Sequence, residues 1–326
     1  MEKEDRPLIT NPTELKFFGS LGIFLLILLL ISFVLGNVVK RGEISSPAKI
    51  VKQEPFEKIS LTAKSVYVYD IRNDKVLFEK NKDTQLPLAS LTKVMTALVA
   101  TDIAPNSQVV TITPEAIRAD GDSGLQVGER WSLKSLLDFS LTSSSNDGAK
   151  AVALALGALN TTNPTPDVAE IDFISLMNKK ADELHMLHTY FLNETGLDLT
   201  TEDGRPSTKA GAFGTAEDMT KLFTYILQNQ KGLLEATTRS NVQVTSLDNI
   251  VHKAKNTDTI VGDIPGIKGS KTGYTDIAGG NLVIAFDPEL GRPIIISFLG
   301  STAENRFTDV SKLVQATLDT IHEESN

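Results

Sequence analysis

Cysteine is absent from the 326 residues, which excludes a disulfide scaffold, a thiol nucleophile and any zinc or iron–sulfur site built on thiolates. Histidine is scarce as well: His185, His188, His252 and His322 leave little for a His-based metal site, so neither metal nor cofactor is expected. Positive charge is in deficit. A formal net charge of -9 argues against nonspecific binding to nucleic acid, whose phosphates demand a basic surface. Nothing else is extreme. With 41% hydrophobic and 22% charged residues and ordinary Gly and Pro, the chain reads as globular, not disordered, collagenous or of low complexity. Its length allows one large domain or two modest ones once a targeting segment is removed.

Phe17–Val39, FFGSLGIFLLILLLISFVLGNVV, contains no charge. At about 1.5 Å per residue it reaches roughly 35 Å as a helix, enough to cross a hydrocarbon core of about 30 Å. A buried core helix of this length usually keeps a polar stripe. Val34-Leu-Gly36 is a passable cleavage site, but the apolar stretch is long for a signal peptide, which favours an uncleaved anchor. Lys3, Arg6 and Lys16 precede it and Lys40, Arg41, Lys49 and Lys52 follow, so flanking charge does not fix the orientation. The expected division is therefore an N-terminal segment 1–16, an anchor 17–39, a charged Pro-containing tether 40–62 and a folded domain 63–326.

Within that domain Ser65–Asp70 (SVYVYD) and Lys75–Glu79 (KVLFE), separated by Ile-Arg-Asn-Asp, predict a hairpin. After Pro87, apolar Leu91, Val94, Met95, Leu98 and Val99 predict a helix opening at Ser90. A second helix carries Leu133, Leu136, Leu137 and Leu141 and breaks at Thr142-Ser-Ser-Ser. Asn146 and Asp147 then offer caps for an Ala-rich third helix, Ala149–Leu156. Asn160–Pro166 reads as a polar loop, Ile171–Leu184 and Ala216–Gln228 as helices, and Arg306–His322 as a closing amphipathic helix. Asn281–Phe286 and Pro293–Leu299 read as strands. Strands at both ends with helices between them predict an α+β fold, one antiparallel sheet pairing the two ends of the domain plus a helical lobe.

Ser90-Leu-Thr-Lys93 sets a hydroxyl and an amine at i and i+3 on one face of a first helical turn. There the Ser90 N–H is an unpaired donor and the helix dipole favours negative charge. An acyl-transfer nucleophile needs a base in reach and a donor for its oxyanion, and this turn can supply all three. Alone the pattern is weak, and Ser46-Pro-Ala-Lys49 in the tether is a second match without meaning. Two further triplets change that. Ser144-Ser-Asn146 lies in an interhelical turn where polar side chains can enter a cleft. Lys271-Thr-Gly273, in GSKTGYT, could present a strand edge to an extended peptide, with Gly273 permitting close approach. Singly these read as a capped turn and a surface turn; the three in this order are hard to ascribe to chance.

In that order of S-x-x-K, S-x-N and K-T-G the sequence resembles the serine D-alanyl-D-alanine carboxypeptidases among the low-molecular-mass penicillin-binding proteins. PLASLTKVMTAL, GLQVGERWSLKSLL, LMNKKADEL, TYFLNETGLD, KTGYTDIAGGNLV and ENRFTDVSKL are also similar to family segments, so that the resemblance runs from about Ala63 to Ile321. It implies the β-lactamase/penicillin-binding transpeptidase-like fold. Departures are Ser145 in place of the common Gly, His185 where Gly usually follows Glu-Leu, and a stretch at 158–169 local to this chain. The C-terminal β domain and amphipathic anchor of many relatives are not expected here, and the N-terminal helix is expected to replace that anchor.

The resemblance implies that Ser90 attacks the carbonyl of a terminal D-Ala–D-Ala bond, forming an acyl-enzyme and expelling D-alanine. Lys93 is then the base, its pKa depressed by Lys271 and the helix N-terminus. Ser144 would relay a proton to the leaving amine and Asn146 would hold the substrate amide. Lys271 and Thr272 would meet the terminal carboxylate, while the N–H groups of Ser90 and Tyr274 would form the oxyanion hole. Arg306 matches a family arginine associated with carboxylate recognition. The implied partners are peptidoglycan stem peptides ending in D-Ala–D-Ala, β-lactams as covalent inhibitors, and the membrane through Phe17–Val39, with the domain on the extracytoplasmic side. Rival readings are a D,D-endopeptidase cutting cross-links, a class A β-lactamase, and a non-catalytic penicillin-sensing or cell-wall-binding protein. The β-lactamase would need a deacylating Glu in an E-x-x-x-N setting where the chain reads LMNKKADEL.

Overall fold

The first strand after the N-terminal segment, β1 (Ser65–Asp70), is buried along nearly its whole length and turns back into β2 (Lys75–Lys80), giving the expected hairpin. The computed structural model describes residues 54–57, 59–118, 121, 123–160, 164–200 and 208–324. The expected anchor Phe17–Val39 lies outside the described residues, and among those described no helix is long and apolar enough to cross a membrane. The part of the expected tether that is described is not free of structure. Glu54–Glu57 forms a helical turn whose Phe56 is buried and stacks on Phe78, and the Thr62 hydroxyl donates to Asp309, because apolar Phe56, Ile59 and Leu61 have a sheet face to cover.

A two-residue strand, β3 (Leu86–Pro87), leads into a 3₁₀ turn, Ala89–Leu91, and then helix α1 (Thr92–Ile103). The regular helix thus opens two residues later than the periodicity predicts. The turn before it closes i→i+3 bonds instead, Leu91 N–H to the Leu88 carbonyl and Thr92 N–H to that of Ala89, with Ala89 itself at φ 48. A small ladder of β4 (Val109–Thr111) with β5 (Arg130–Ser132) precedes helix α2 (Leu133–Ser143), capped by Ser132, and helix α3 (Asn146–Gly157). Neither Asn146 nor Asp147 caps α3. The Ser145 hydroxyl accepts the Gly148 N–H at 3.0 Å, which frees Asn146 for another partner. Helix α4 (Pro166–Glu183) follows, with Thr165 as cap and Pro166 in its first turn, so the helix starts earlier than its apolar period indicates.

Strands β6 (Tyr190–Phe191) and β7 (Ala212–Gly214) complete a small sheet with β3, and helix α5 (Ala216–Asn229) begins on the Thr215 cap. A hairpin of β8 (Asn241–Thr245) and β9 (Val251–Lys255) comes before β10 (Ile267–Thr275), β11 (Gly279–Phe286) and β12 (Ile294–Ser301). Helix α6 (Asn305–Glu324) closes the described chain.

The main sheet has the order β10-β11-β12-β1-β2, antiparallel throughout, with β1 joined to β12 from Ser65↔Leu299 to Asp70↔Ile294. The two ends of the domain therefore meet in one sheet, as predicted. Both faces of its centre are covered. Val66, Val68, Ile284, Ile296 and Phe298 pack with Val310 and Leu313 of α6. On the opposite face Ser297 hydrogen-bonds Thr220 of α5 at 2.8 Å. Burial on two sides explains why β11 and β12 read as continuous apolar runs instead of alternating ones. Each such side chain contributes on the order of 1.5–3 kcal/mol of transfer free energy. β10 is left as an edge strand, and it carries Lys271-Thr-Gly273.

Candidate active site

The turn that bears Ser90 is clamped from three directions. The Asn281 side chain on β11 donates to the carbonyls of Pro87 (2.9 Å) and Leu88 (3.1 Å) and accepts the Gly300 N–H at 2.8 Å. Gly196 lies against it so closely that a Cβ there would fall 1.9 Å from the Ala89 carbonyl oxygen. Gly273 flanks it on the edge strand. A Cβ at that position would come within 2.7 Å of the Leu88 oxygen and 3.3 Å of the Ser90 nitrogen, so only glycine lets β10 lie along the turn.

Lys93 points back up the helix from the next turn, and its Nζ donates to Ser90 Oγ at 2.9 Å, to Asn146 Oδ1 at 2.6 Å and to the Thr195 carbonyl at 2.8 Å. Three oxygens use all three donors of an ammonium. When the group is neutral, Asn146 and Thr195 can keep its two N–H bonds, and the lone pair then faces the Ser90 hydroxyl. The side chain is only 1% exposed. Burial pulls its pKa down to about 7, against the opposing pull of the Glu194 carboxylate.

Ser144 sits just past α2 in a left-handed conformation, φ 61, and its hydroxyl accepts from Lys271 Nζ at 2.9 Å. Lys271 is equally buried and also donates to the Thr272 carbonyl. Burial, then the positive charges of Lys93 and Arg306, push its pKa well below the ordinary lysine value, while Asp258 opposes them. The Thr272 hydroxyl meets that of Thr257 at 2.5 Å. Arg306, in the first turn of α6, donates to the Gly273 carbonyl at 2.7 Å, and its buried Nε has no partner. Desolvation lowers its pKa. Tyr274, half exposed, extends beyond the edge strand with its hydroxyl on Asp276.

Ser90, Lys93 and Asn146 are thus joined by hydrogen bonds, Lys271 joins Ser144 to the same edge strand as Thr272, Gly273 and Tyr274, and Arg306 reaches that strand from α6. Among the described residues no group of His, Cys, Asp or Glu could hold a metal ion. Sequence reasoning missed Thr195 and Asn281, whose parts are played through a backbone carbonyl and through carbonyl partners. It also missed Thr257, Asp258 and Glu194, which no short motif marks.

Among the proteins similar to this chain are two curated relatives and a penicillin-binding protein of known structure. D-alanyl-D-alanine carboxypeptidase DacF of Bacillus subtilis is 28% identical over 282 residues, covering 82% of this chain and 66% of that protein. A D-alanyl-D-alanine endopeptidase of Pseudomonas aeruginosa is 31% identical over 231 residues, 69% of this chain and 67% of that protein. The chain therefore spans about two thirds of the length of these relatives. Penicillin-binding protein D2 from Listeria monocytogenes, in its ampicillin-bound form, superposes with a TM-score of 0.65 at 29% identity, covering 79% of this chain and 98% of that one. The family model for D-alanyl-D-alanine carboxypeptidase, peptidase S11, matches residues 49–301, and the chain belongs to that family.

Proposed function

We propose that this chain is a serine D-alanyl-D-alanine carboxypeptidase that removes the terminal D-Ala from peptidoglycan stem peptides. The observation that carries the reading is the 2.9 Å contact between Ser90 Oγ and a buried Lys93 amine brought to near-neutral pKa. Ser90 gives its proton to Lys93 as Oγ adds to the carbonyl of the D-Ala–D-Ala bond. The negative charge that forms on the carbonyl oxygen meets the N–H groups of Ser90 and Tyr274, on turn and edge strand held in contact through Gly273. The C–N bond then breaks. Ser144, hydrogen-bonded to Lys271, relays to the leaving amine the proton that Lys93 took from Ser90, so D-alanine departs and Lys93 is neutral again. Water then attacks the ester carbonyl with Lys93 taking its proton, the bond to Ser90 Oγ breaks, and Lys93 returns the proton to Oγ as the shortened peptide is released. Asn146 holds the substrate amide, and Lys271, Thr272 and Arg306 provide for the terminal carboxylate. Because such a substrate lies outside the cytoplasmic membrane, residues 17–39 anchor the chain with residues 1–16 inside and the folded domain outside. Protease added to spheroplasts should digest the domain.

The test is intact-protein mass spectrometry after incubation with penicillin and, separately, with a diacyl D-Ala–D-Ala peptide. The expected result is a covalent adduct with penicillin, absent in Ser90→Ala, retained in Ser46→Ala, and release of free D-alanine from the peptide. An adduct that persists in Ser90→Ala overturns the nucleophile. The endopeptidase relative supports a second reading, cleavage of D,D cross-links at the same serine. Faster cleavage of a cross-linked dimer than of the free pentapeptide would favour it.

A further inference from the structure

One residue before the Thr195 carbonyl that holds Lys93 lies a buried carboxyl that the mechanism above leaves unused. Glu194 is 1% exposed. Its Oε1 is 3.8 Å from Lys150 Nζ on α3, and the same ammonium contacts Glu170 Oε2 on α4 at 2.5 Å. The two carboxyls thus meet at one ammonium, and Glu194 Oε2 is buried with no hydrogen-bond partner. Two carboxylates crowded on one ammonium disfavour each other's ionised forms, and a single O–H between them would supply the missing donor. The backbone ties this cluster to α1 twice: Thr96 Oγ1 donates to the Glu194 carbonyl at 2.7 Å and Lys93 donates to the Thr195 carbonyl. A cavity of about 460 Å³ opens onto the cluster, with Glu115, Arg118, Asp167 and Asp198 as its remaining charged lining.

We propose that Glu170 and Glu194 share one proton, and that the share held by Glu194 decides how readily Lys93 exists as the free amine. Glu194 is in this account a positioning residue, acting through Lys93, and the inference rests on Lys93 being the base of the proposed reaction. The sign follows from charge. An ionised Glu194 favours the Lys93 ammonium; a protonated Glu194 favours the amine. Burial, together with the Glu170 charge and against Lys150, raises the Glu194 pKa toward the lowered one of Lys93. As pH rises, loss of the shared proton opposes loss of the Lys93 proton, and the acid side of the acylation profile becomes broader than a single titration.

Two variants of equal formal charge separate this from a structural role. Glu194→Gln removes the carboxylate that favours the Lys93 ammonium and should move the acid limb of penicillin acylation to lower pH. Glu170→Gln replaces the shared proton by an amide donor, keeps Glu194 ionised, and should move the limb to higher pH. Each shift should be about half a pH unit or more, a roughly threefold rate change at fixed pH on the limb. In the wild-type chain, difference infrared spectra should show a protonated carboxyl C=O band that titrates near neutrality and is lost in both variants. Shifts in the same direction, or none, overturn the coupling to Lys93. A missing band in an enzyme that labels normally overturns the shared proton, even if both variants fail to fold. A wild-type chain that does not label at all strikes instead at the proposed function, while the band still reports on the carboxyl pair.

Discussion

Two lysines buried within one site are costly to the fold that holds them. An ammonium out of water is disfavoured, and each of Lys93 and Lys271 is driven toward the neutral form, Lys271 partly by Lys93 itself. The consequence for stability has a definite sign. Lys93 has its folded pKa lowered to about 7 from an ordinary 10.5, so between those values the unfolded chain binds a proton that the folded chain does not. Stability from this group therefore rises with pH across that window, by up to about 1.4 kcal/mol per pH unit. Chemical denaturation of the wild type and Lys93→Met at pH 7, 8 and 9 checks it. The expected outcome is a wild type that gains on the variant as pH increases. A constant difference would mean that Lys93 is not neutral in the folded protein.

At the scale of elements, helix ends were the least legible part of the sequence and the reason is physical. Thr142-Ser-Ser-Ser-Asn146-Asp147 offers several side chains able to cap α3, and local propensity does not rank them. What assigns Ser145 to the cap and Asn146 to the site is Lys93, more than fifty positions earlier in sequence, which claims the Asn146 oxygen. Four of the five main-sheet strands, by contrast, were legible from apolar or β-rich runs, while β10, polar around Lys271-Thr-Gly273, was expected only as a strand edge. The β8–β9 hairpin was not, because its strands alternate exposed residues with half-buried or buried ones and are held largely from outside, through His252 on Glu129 at 2.7 Å beside Trp131 and Phe139. The departure at His185 was legible and has a structural counterpart. The residue follows α4 with φ 53, the left-handed region that favours glycine. Its backbone N–H caps back to the Asp182 carbonyl, and its own carbonyl accepts from Lys221. His185→Gly keeps both bonds and removes the strain of a side chain there. It should stabilise the domain by roughly 0.5–1 kcal/mol, seen as a higher denaturation midpoint at unchanged slope. A lower midpoint would show that the imidazole contributes more than its backbone costs.

The described domain is closed by contacts between its two ends, and the proposed recognition of the substrate carboxylate sits at the same kind of junction. At one side of the sheet Arg292 binds the fully buried Asp70 of β1 at 2.8 Å and Glu324 at the end of α6 at 2.6 Å, while Lys75 of β2 pairs with that same glutamate. Truncating the guanidinium removes the cation paired with a buried carboxylate, so Arg292→Met should cost roughly 3–5 kcal/mol in denaturant unfolding; a loss under 1 kcal/mol would mean that the two Asn73 donors hold Asp70 unaided. At the other end of α6, Arg306 brings a cation from the last helix to the edge strand, which acts on the carboxypeptidase reading directly. A carboxypeptidase must recognise a free carboxylate one residue beyond the scissile bond, and a guanidinium can offer that anion two parallel hydrogen bonds. Arg306 spends one N–H on the Gly273 carbonyl, which fixes the fork beside the strand along which substrate would lie. Its desolvation makes an arriving anion more favourable still, because the charge lacks a full shell of water. A charge-assisted hydrogen bond contributes on the order of 1.5–3 kcal/mol, so Arg306→Ala should lower kcat/KM for a peptide ending in free D-Ala by roughly ten- to a hundredfold. The same change should barely affect a peptide with an amidated terminus, which the wild type should already cleave poorly. If the wild type cleaves acid and amide equally well, the guanidinium serves only to hold the edge strand, and cleavage within cross-links becomes the better account of the site.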